Sequence, residues 1–229
     1  MRLLKSLLLT LTLTISACGG GGGSTASAPV ASTNTFNIRS GYTKLSINGF
    51  TKTLTISGTC TGTLTITDAP ATTSTTFENQ IAFSGSSVIS TTLNGCTLAS
   101  SIRTETRYFD SNYVPLGYSV VGGNYGVWAS PAVLPTTAKV GDVAIVGTIN
   151  EFSNSSKTTS TGRQEISYVI EADTATTAIA NVISKSYNST DTLTSTEQDR
   201  YRVAADGTLT LISMDIQYSN GSNTHLLMN

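Results

Sequence analysis

Hydrophobic and polar positions alternate along most of this chain, and a period of two marks strands buried on one face. Residues 51–57 set Leu54 and Ile56 against threonines, and residues 61–67 repeat the device with Leu64 and Ile66. Residues 76–84 carry Phe77, Ile81 and Phe83, and residues 88–93 form a further short strand. In residues 101–109, Ile102, Thr104, Thr106 and Tyr108 share one face. Arg103, Glu105 and Arg107 take the other, which reads as solvated. Further strands are predicted over 140–150 (Val143, Ile145, Ile149), 163–173 (Ile166, Tyr168, Ile170), 178–187 and 192–204 (Leu193, Tyr201, Val203). Residues 208–218 set Ile212, Met214, Ile216 and Tyr218 against Leu209 and Leu211, so their first part reads as buried on both sides. Asp206-Gly207 and Asn220-Gly221 are hairpin dipeptides, the second leading into 225–228. A short helix at 174–181 is disfavoured by β-branched residues.

The pattern predicts an all-β fold of antiparallel strands, either a sandwich or an open meander sheet, divided between two units. Residues 110–136 break the alternation and hold three of the five prolines and the only tryptophan. They are expected to be a long irregular, aromatic-rich connection, since such a loop is unusual inside one domain. It would separate an N-terminal β unit at 34–109 from a C-terminal antiparallel meander at 137–229.

The N-terminus follows a different logic. Arg2 and Lys5 precede an apolar stretch, Leu7 to Ile15, too short to span a bilayer, and Ser16 and Ala17 are small. Ile15-Ser16-Ala17-Cys18 resembles the lipobox of bacterial lipoproteins. The resemblance covers residues 1–18 and implies a signal peptide at 1–17, cleaved before Cys18, and a membrane anchor through acyl chains on that cysteine. Gly19, rather than aspartate, resembles the outer-membrane-sorted members and implies a lipid-anchored protein of the bacterial outer membrane. Residues 18–33, rich in Gly, Ser and Ala, read as a flexible tether with a mean reach of roughly 20 Å.

Charge and chemistry narrow the rest. Charged residues are only 12% of the chain, and no basic block occurs, which argues against a nucleic-acid partner. Cys60 and Cys96 remain once Cys18 carries lipid. In an oxidising compartment they are expected to form a disulfide, worth roughly 4 kcal/mol in the chain-entropy model. The one histidine, His225, lies among apolar neighbours and reads as a strand residue. With no G-x-S-x-G elbow and no second imidazole, neither a serine hydrolase nor a histidine-built zinc site is supported. The carboxylate pairs Glu171/Asp173 and Glu197/Asp199 read as solvated strand faces with Arg163, Arg200 and Arg202 as cross-strand partners. No catalytic residue, metal or cofactor is expected.

The most distinctive constellation is aromatic: Tyr108, Phe109, Tyr113, Tyr118, Tyr125 and Trp128 fall within one short segment. Such residues serve either as a ligand platform or as packing that covers the sheet, and packing is favoured. The function expected is a non-enzymatic binding or structural role at the envelope, with an envelope protein or a glycan as candidate partner. The alternative is a carrier or chaperone sheltering an apolar ligand in a curved sheet. A carboxylate-based hydrolase ranks last.

Overall fold

The structure, a computed structural model, describes residues 28–219 and 224–229. The expected signal peptide, Cys18, the first part of the tether and the Asn220-Gly221 turn lie outside the described residues. The strands are β1 (Phe50–Gly58), β2 (Thr61–Asp68), β3 (Thr73–Phe77), β4 (Gln80–Asn94), β5 (Ser101–Phe109), β6 (Pro115–Val120) and β7 (Tyr125–Trp128). They continue as β8 (Val143–Phe152), β9 (Ser160–Ala172), β10 (Ala178–Asn188), β11 (Leu193–Val203), β12 (Leu209–Tyr218) and β13 (His225–Met228), and a helix, α1 (Ile38–Asn48), precedes them all.

Every pairing is antiparallel, and from β4 to β13 each strand lies beside its successor. Two further contacts join the ends of this meander. β1 pairs with β13, and β2 pairs with β4 from Thr61↔Asn94 to Asp68↔Ser87. The sheet therefore closes on itself as a twelve-stranded barrel rather than a sandwich or an open meander, leaving no long free edge. β3 lies on the same edge of β4 as β2, one level further on, from Thr73↔Ser84 to Phe77↔Gln80. The β3–β4 hairpin curls over the outer wall. Phe77 stacks on Tyr108 at 4.2 Å and packs on Tyr125 at 5.3 Å, while Glu78 binds the Tyr125 hydroxyl and the Lys157 ammonium.

The two faces of the wall differ as the alternation requires. Thr51, Thr53 and Thr55, with Thr61 and Thr63, point outward, whereas Leu54, Ile56, Leu64 and Ile66 fill the lumen with Leu211, Met214, Leu226 and Met228. The outer wall also carries the ion pairs Arg200–Glu171 (3.4 Å) and Arg202–Asp173 (2.8 Å) and a hydrogen bond between His225 and Asp215 (2.7 Å). Apolar side chains stand on the same wall, with Ile102, Val143 and Ile145 exposed.

Two bulges explain mixed patterns in the sequence. The register of β12 shifts by one residue, so Leu209 and Leu211 and then Met214 and Ile216 all face inward. A bulge in β8 between Ile145 and Gly147 leaves Val143 and Ile145 outside, 67% and 75% exposed, while Ile149 is buried.

A barrel of eight strands is filled by its own side chains, and one of sixteen holds a channel. Twelve strands leave space between these limits, and α1 occupies part of it at one mouth. Ile38, Tyr42 and Leu45, at i, i+4 and i+7, turn toward the lumen. Gly41 lies so close to the β11–β12 turn that a Cβ there would sit 2.0 Å from the Gly207 carbonyl oxygen. The Ala71 amide donates to the Ser46 carbonyl at 2.9 Å from another side. The opposite rim carries the disulfide between Cys60 and Cys96, with Cα atoms 5.2 Å apart.

Two local expectations are corrected, and the weak helix signal at 174–181 is resolved as the β-branched residues favour. The last residues of the predicted tether lie on the barrel: Val30 bridges Asp173, and the buried Ser32 donates to the Ala175 carbonyl. Residues 110–136 contain β6 and β7, so strands from both expected units belong to one sheet. Within 174–181 there is no helix: the chain turns and then enters β10 at Ala178, as its β-branched residues favour.

Candidate functional site

Register assigns the inner face unambiguously. Gly85, Ser87 and Ile89 of β4 lie opposite Arg107, Glu105 and Arg103 of β5, and Ser87 is also opposite Asp68 of β2. These are lumen positions. The β5 charges therefore point into the barrel, not to solvent as the sequence suggested, and Ile102 is the exposed residue. On the far wall, Val182 pairs with Asp199 and Ser184 with Glu197, which puts this acid pair inside as well. Glu171 and Asp173, by contrast, lie on the outer wall with Arg200 and Arg202, as read from the sequence.

The inward charges of β5 form one network. Arg107 donates from Nη1 to Asp68 at 2.5 Å and from Nε to Glu105 at 2.8 Å. Arg103 reaches the second oxygen of Glu105 at 2.8 Å, and the Ser87 hydroxyl donates to Asp68 at 2.6 Å. Burial works against the Arg107 charge, but Asp68 and Glu105 more than offset it and hold the guanidinium ionised. Further along the wall, burial and the Glu151 carboxylate raise the Tyr118 hydroxyl, which donates to Glu151. Gln164 donates to both.

Glu197 and Asp199 form no ion pair with this network, although the Arg107 charge acts on both from across the lumen. Burial raises the pKa of both carboxyls, and repulsion from Glu197 lifts Asp199 well above the usual carboxylate range. The two carboxyls lie within hydrogen-bonding reach of each other, an arrangement in which one proton can serve both. Asp199 Oδ1 is buried and has no hydrogen-bond partner among the described residues.

Between α1 and this polar layer lies a cavity of about 230 Å³. Tyr42 and Leu45 line it from the helix, and Trp128, Ile166, Ala180 and Val182 from the barrel. Its charged residues are Asp68, Arg107 and Asp199, and Tyr201, Ser46 and Ser86 add hydroxyls. Burial pushes the Tyr42 hydroxyl up to about 12 and raises that of Tyr201 too, so both remain neutral donors. Gly147, at φ 147°, lets the Trp128 ring lie against β8, because a Cβ there would come within 3.0 Å of the indole.

The six aromatics singled out in the sequence do not form one surface. Tyr108 and Tyr125 lie under the β3–β4 hairpin outside the barrel. Phe109 and Trp128 line the cavity, Tyr118 faces the lumen, and Tyr113 stacks on Phe83 at 5.6 Å in the β5–β6 loop. Strand alternation divides them, since residues of opposite parity leave a strand on opposite sides. Parity could have exposed the lumen charges. Glu197 and Asp199 share it with Tyr201 and Val203, and Arg103, Glu105 and Arg107 share it with Phe109.

Fold and site together define a closed antiparallel barrel with a polar outer wall, a helix in one mouth and an internal cavity carrying buried charge. No family model matches the chain, and no curated protein or solved structure matches it.

Proposed function

We propose that this is a non-enzymatic binding protein of the bacterial envelope, anchored to the outer membrane by lipid on Cys18, whose barrel shelters a small, largely apolar ligand. The cavity under α1 carries this reading. Scaled from the ~150 Å³ apolar cavity that admits benzene, it takes a molecule of about nine heavy atoms. Apolar walls interrupted by a few buried polar groups are the usual make-up of a small-molecule site. The polar outer wall fits a barrel standing in water at the end of a tether, with membrane attachment left to the acyl chains. A glycan platform draws no support from aromatics that are divided between two faces. A carboxylate hydrolase is less well supported. The Glu197 and Asp199 carboxyls touch, whereas glycosidase pairs stand ~5–5.5 Å or ~6.5–9.5 Å apart.

Toluene, a neutral apolar probe, should shift the emission of Trp128 and raise the melting temperature by mass action. Ala180→Leu, which fills the cavity, should suppress both effects. Toluene that leaves wild-type emission and melting unchanged sinks the binding reading. Independently, Cys18→Ser should move the protein from the detergent phase to the soluble fraction, and unchanged partitioning would refute the anchor.

A further inference from the structure

We infer that the ligand under α1 carries a primary ammonium head, seated against Asp199 with its apolar body along Trp128 and Leu45. This deepens the lumen-binding reading and rests on it. Three charged residues line the cavity, Asp68, Arg107 and Asp199. Arg107 is already engaged by Asp68 and Glu105, and those carboxylates are tied in turn by Ser87 and Arg103. A ligand carboxylate would have to compete with two resident ones and would meet their negative charge. Asp199 stands differently. Its Oδ1 accepts no hydrogen bond, and no lysine or arginine forms an ion pair with it or with Glu197 among the described residues. Its neighbour on the inner face is another acid. Rotation about χ2 can turn either oxygen to the cavity.

The charges on the inner wall point the same way. Lys52 of β1 and Arg103 and Arg107 of β5 face inward with Asp68 of β2, Glu105 of β5, Glu151 of β8, and Glu197 and Asp199 of β11. Carboxylates are in excess, and the neutral hydroxyls of Tyr42 and Tyr201 add donors rather than charge. Burial and the neighbouring Glu197 favour the protonated form of Asp199, and a bound cation favours the ionised one. Binding an ammonium therefore displaces a proton from the acid pair, and affinity rises with pH.

The test uses the full-length protein, Trp128 emission, and three probes of matched shape: phenethylamine, 2-phenylethanol and phenylacetate. Phenethylamine should bind at least about tenfold more tightly than the other two, the scale of one charge-assisted hydrogen bond. Its affinity should increase from about pH 5 to about pH 8, while that of the alcohol stays flat. Asp199→Asn should bring the amine down to the level of the alcohol, and Asp199→Glu should retain the preference. Toluene binding to each variant verifies that the cavity is folded. Equal affinity for amine and alcohol, a preference for phenylacetate, or an amine preference that survives Asp199→Asn overturns the inference while leaving a toluene-binding lumen intact. Failure of all four probes overturns both readings.

Discussion

The binding role proposed for Asp199 and the stability of the fold pull in opposite directions at one side chain. Its folded-state pKa lies above the value near 3.9 of an unfolded chain, through burial first and Glu197 second. A group raised in this way stabilises the fold fully below the unfolded pKa and loses that contribution as pH rises through the folded value. Once pH passes that folded value, the native barrel carries an ionised carboxyl beside a second acid. Glu197 lies beside it, Arg103, Glu105 and Arg107 across the lumen, and Asp68, Tyr42 and Tyr201 complete the surroundings. Asp199→Asn keeps the shape, can donate to Glu197 and cannot ionise. It should stabilise the protein by about 1–3 kcal/mol at pH 8, the range for relieving an ill-satisfied buried polar group, and by little at pH 4. Denaturant melts at the two pH values decide the matter, and a variant less stable than wild type at pH 8 contradicts the account. A gain in stability with a loss of amine binding would be the trade-off expected of a functional carboxyl.

Among the elements, α1 is the one that makes the cavity, and its sequence argues against itself. IRSGYTKLSIN carries a glycine and two serines, and Asn37 makes no side-chain cap. Helix propensity alone predicts that Gly41→Ala stabilises by about 1 kcal/mol. Packing predicts the reverse, because the Cβ would meet the Gly207 carbonyl oxygen at 2.0 Å, and backbone at a turn cannot yield as a side chain can. We expect Gly41→Ala to lift the helix from the mouth. Stability should fall by about 1–3 kcal/mol, the usual cost of overpacking, and Trp128 should become more readily quenched by iodide. A stabilised variant with a shielded tryptophan would show that α1 is not seated against the β11–β12 turn. The same particulars explain what could be read beforehand. Strands such as 51–57 and 61–67 were legible because Leu54, Ile56, Leu64 and Ile66 alternate with outward residues that are all hydroxylic, and Lys52 alone puts a charge on the inner face. The helix was not, since three inward residues in eleven barely rise above the polar background. The lumen charges were misassigned because Arg103, Glu105 and Arg107 look like any solvated face unless Phe109 is used to set the parity. The bulges in β8 and β12 changed parity partway along a strand, which no fixed period anticipates.

Closure is a property of the whole molecule, and nothing local in the sequence encodes it. The meander from β4 to β13 would remain an open sheet but for β1, which joins β13, and β2, which joins β4 through eight residue pairs. The disulfide staples that second seam. It ties the β1–β2 turn to the segment after β4 across a sequence separation of 36, at the rim away from α1. Its two roles can be separated. As a cross-link it should contribute about 2–4 kcal/mol by restricting the unfolded chain, and for a chain of this size that is a fall of roughly 5–15 °C in melting temperature on reduction or in a Cys60→Ser/Cys96→Ser double variant. As a local staple it should leave the cavity alone. The β2–β4 ladder persists without it, with Leu64 and Ile66 still buried beside Leu211 and Met214, and the cavity lies toward the other mouth. The folded double variant should therefore bind toluene with wild-type affinity at a temperature below its lowered melting point. A folded variant that loses toluene would mean that the two mouths are mechanically coupled, and that the barrel holds its cavity only while the far rim is pinned.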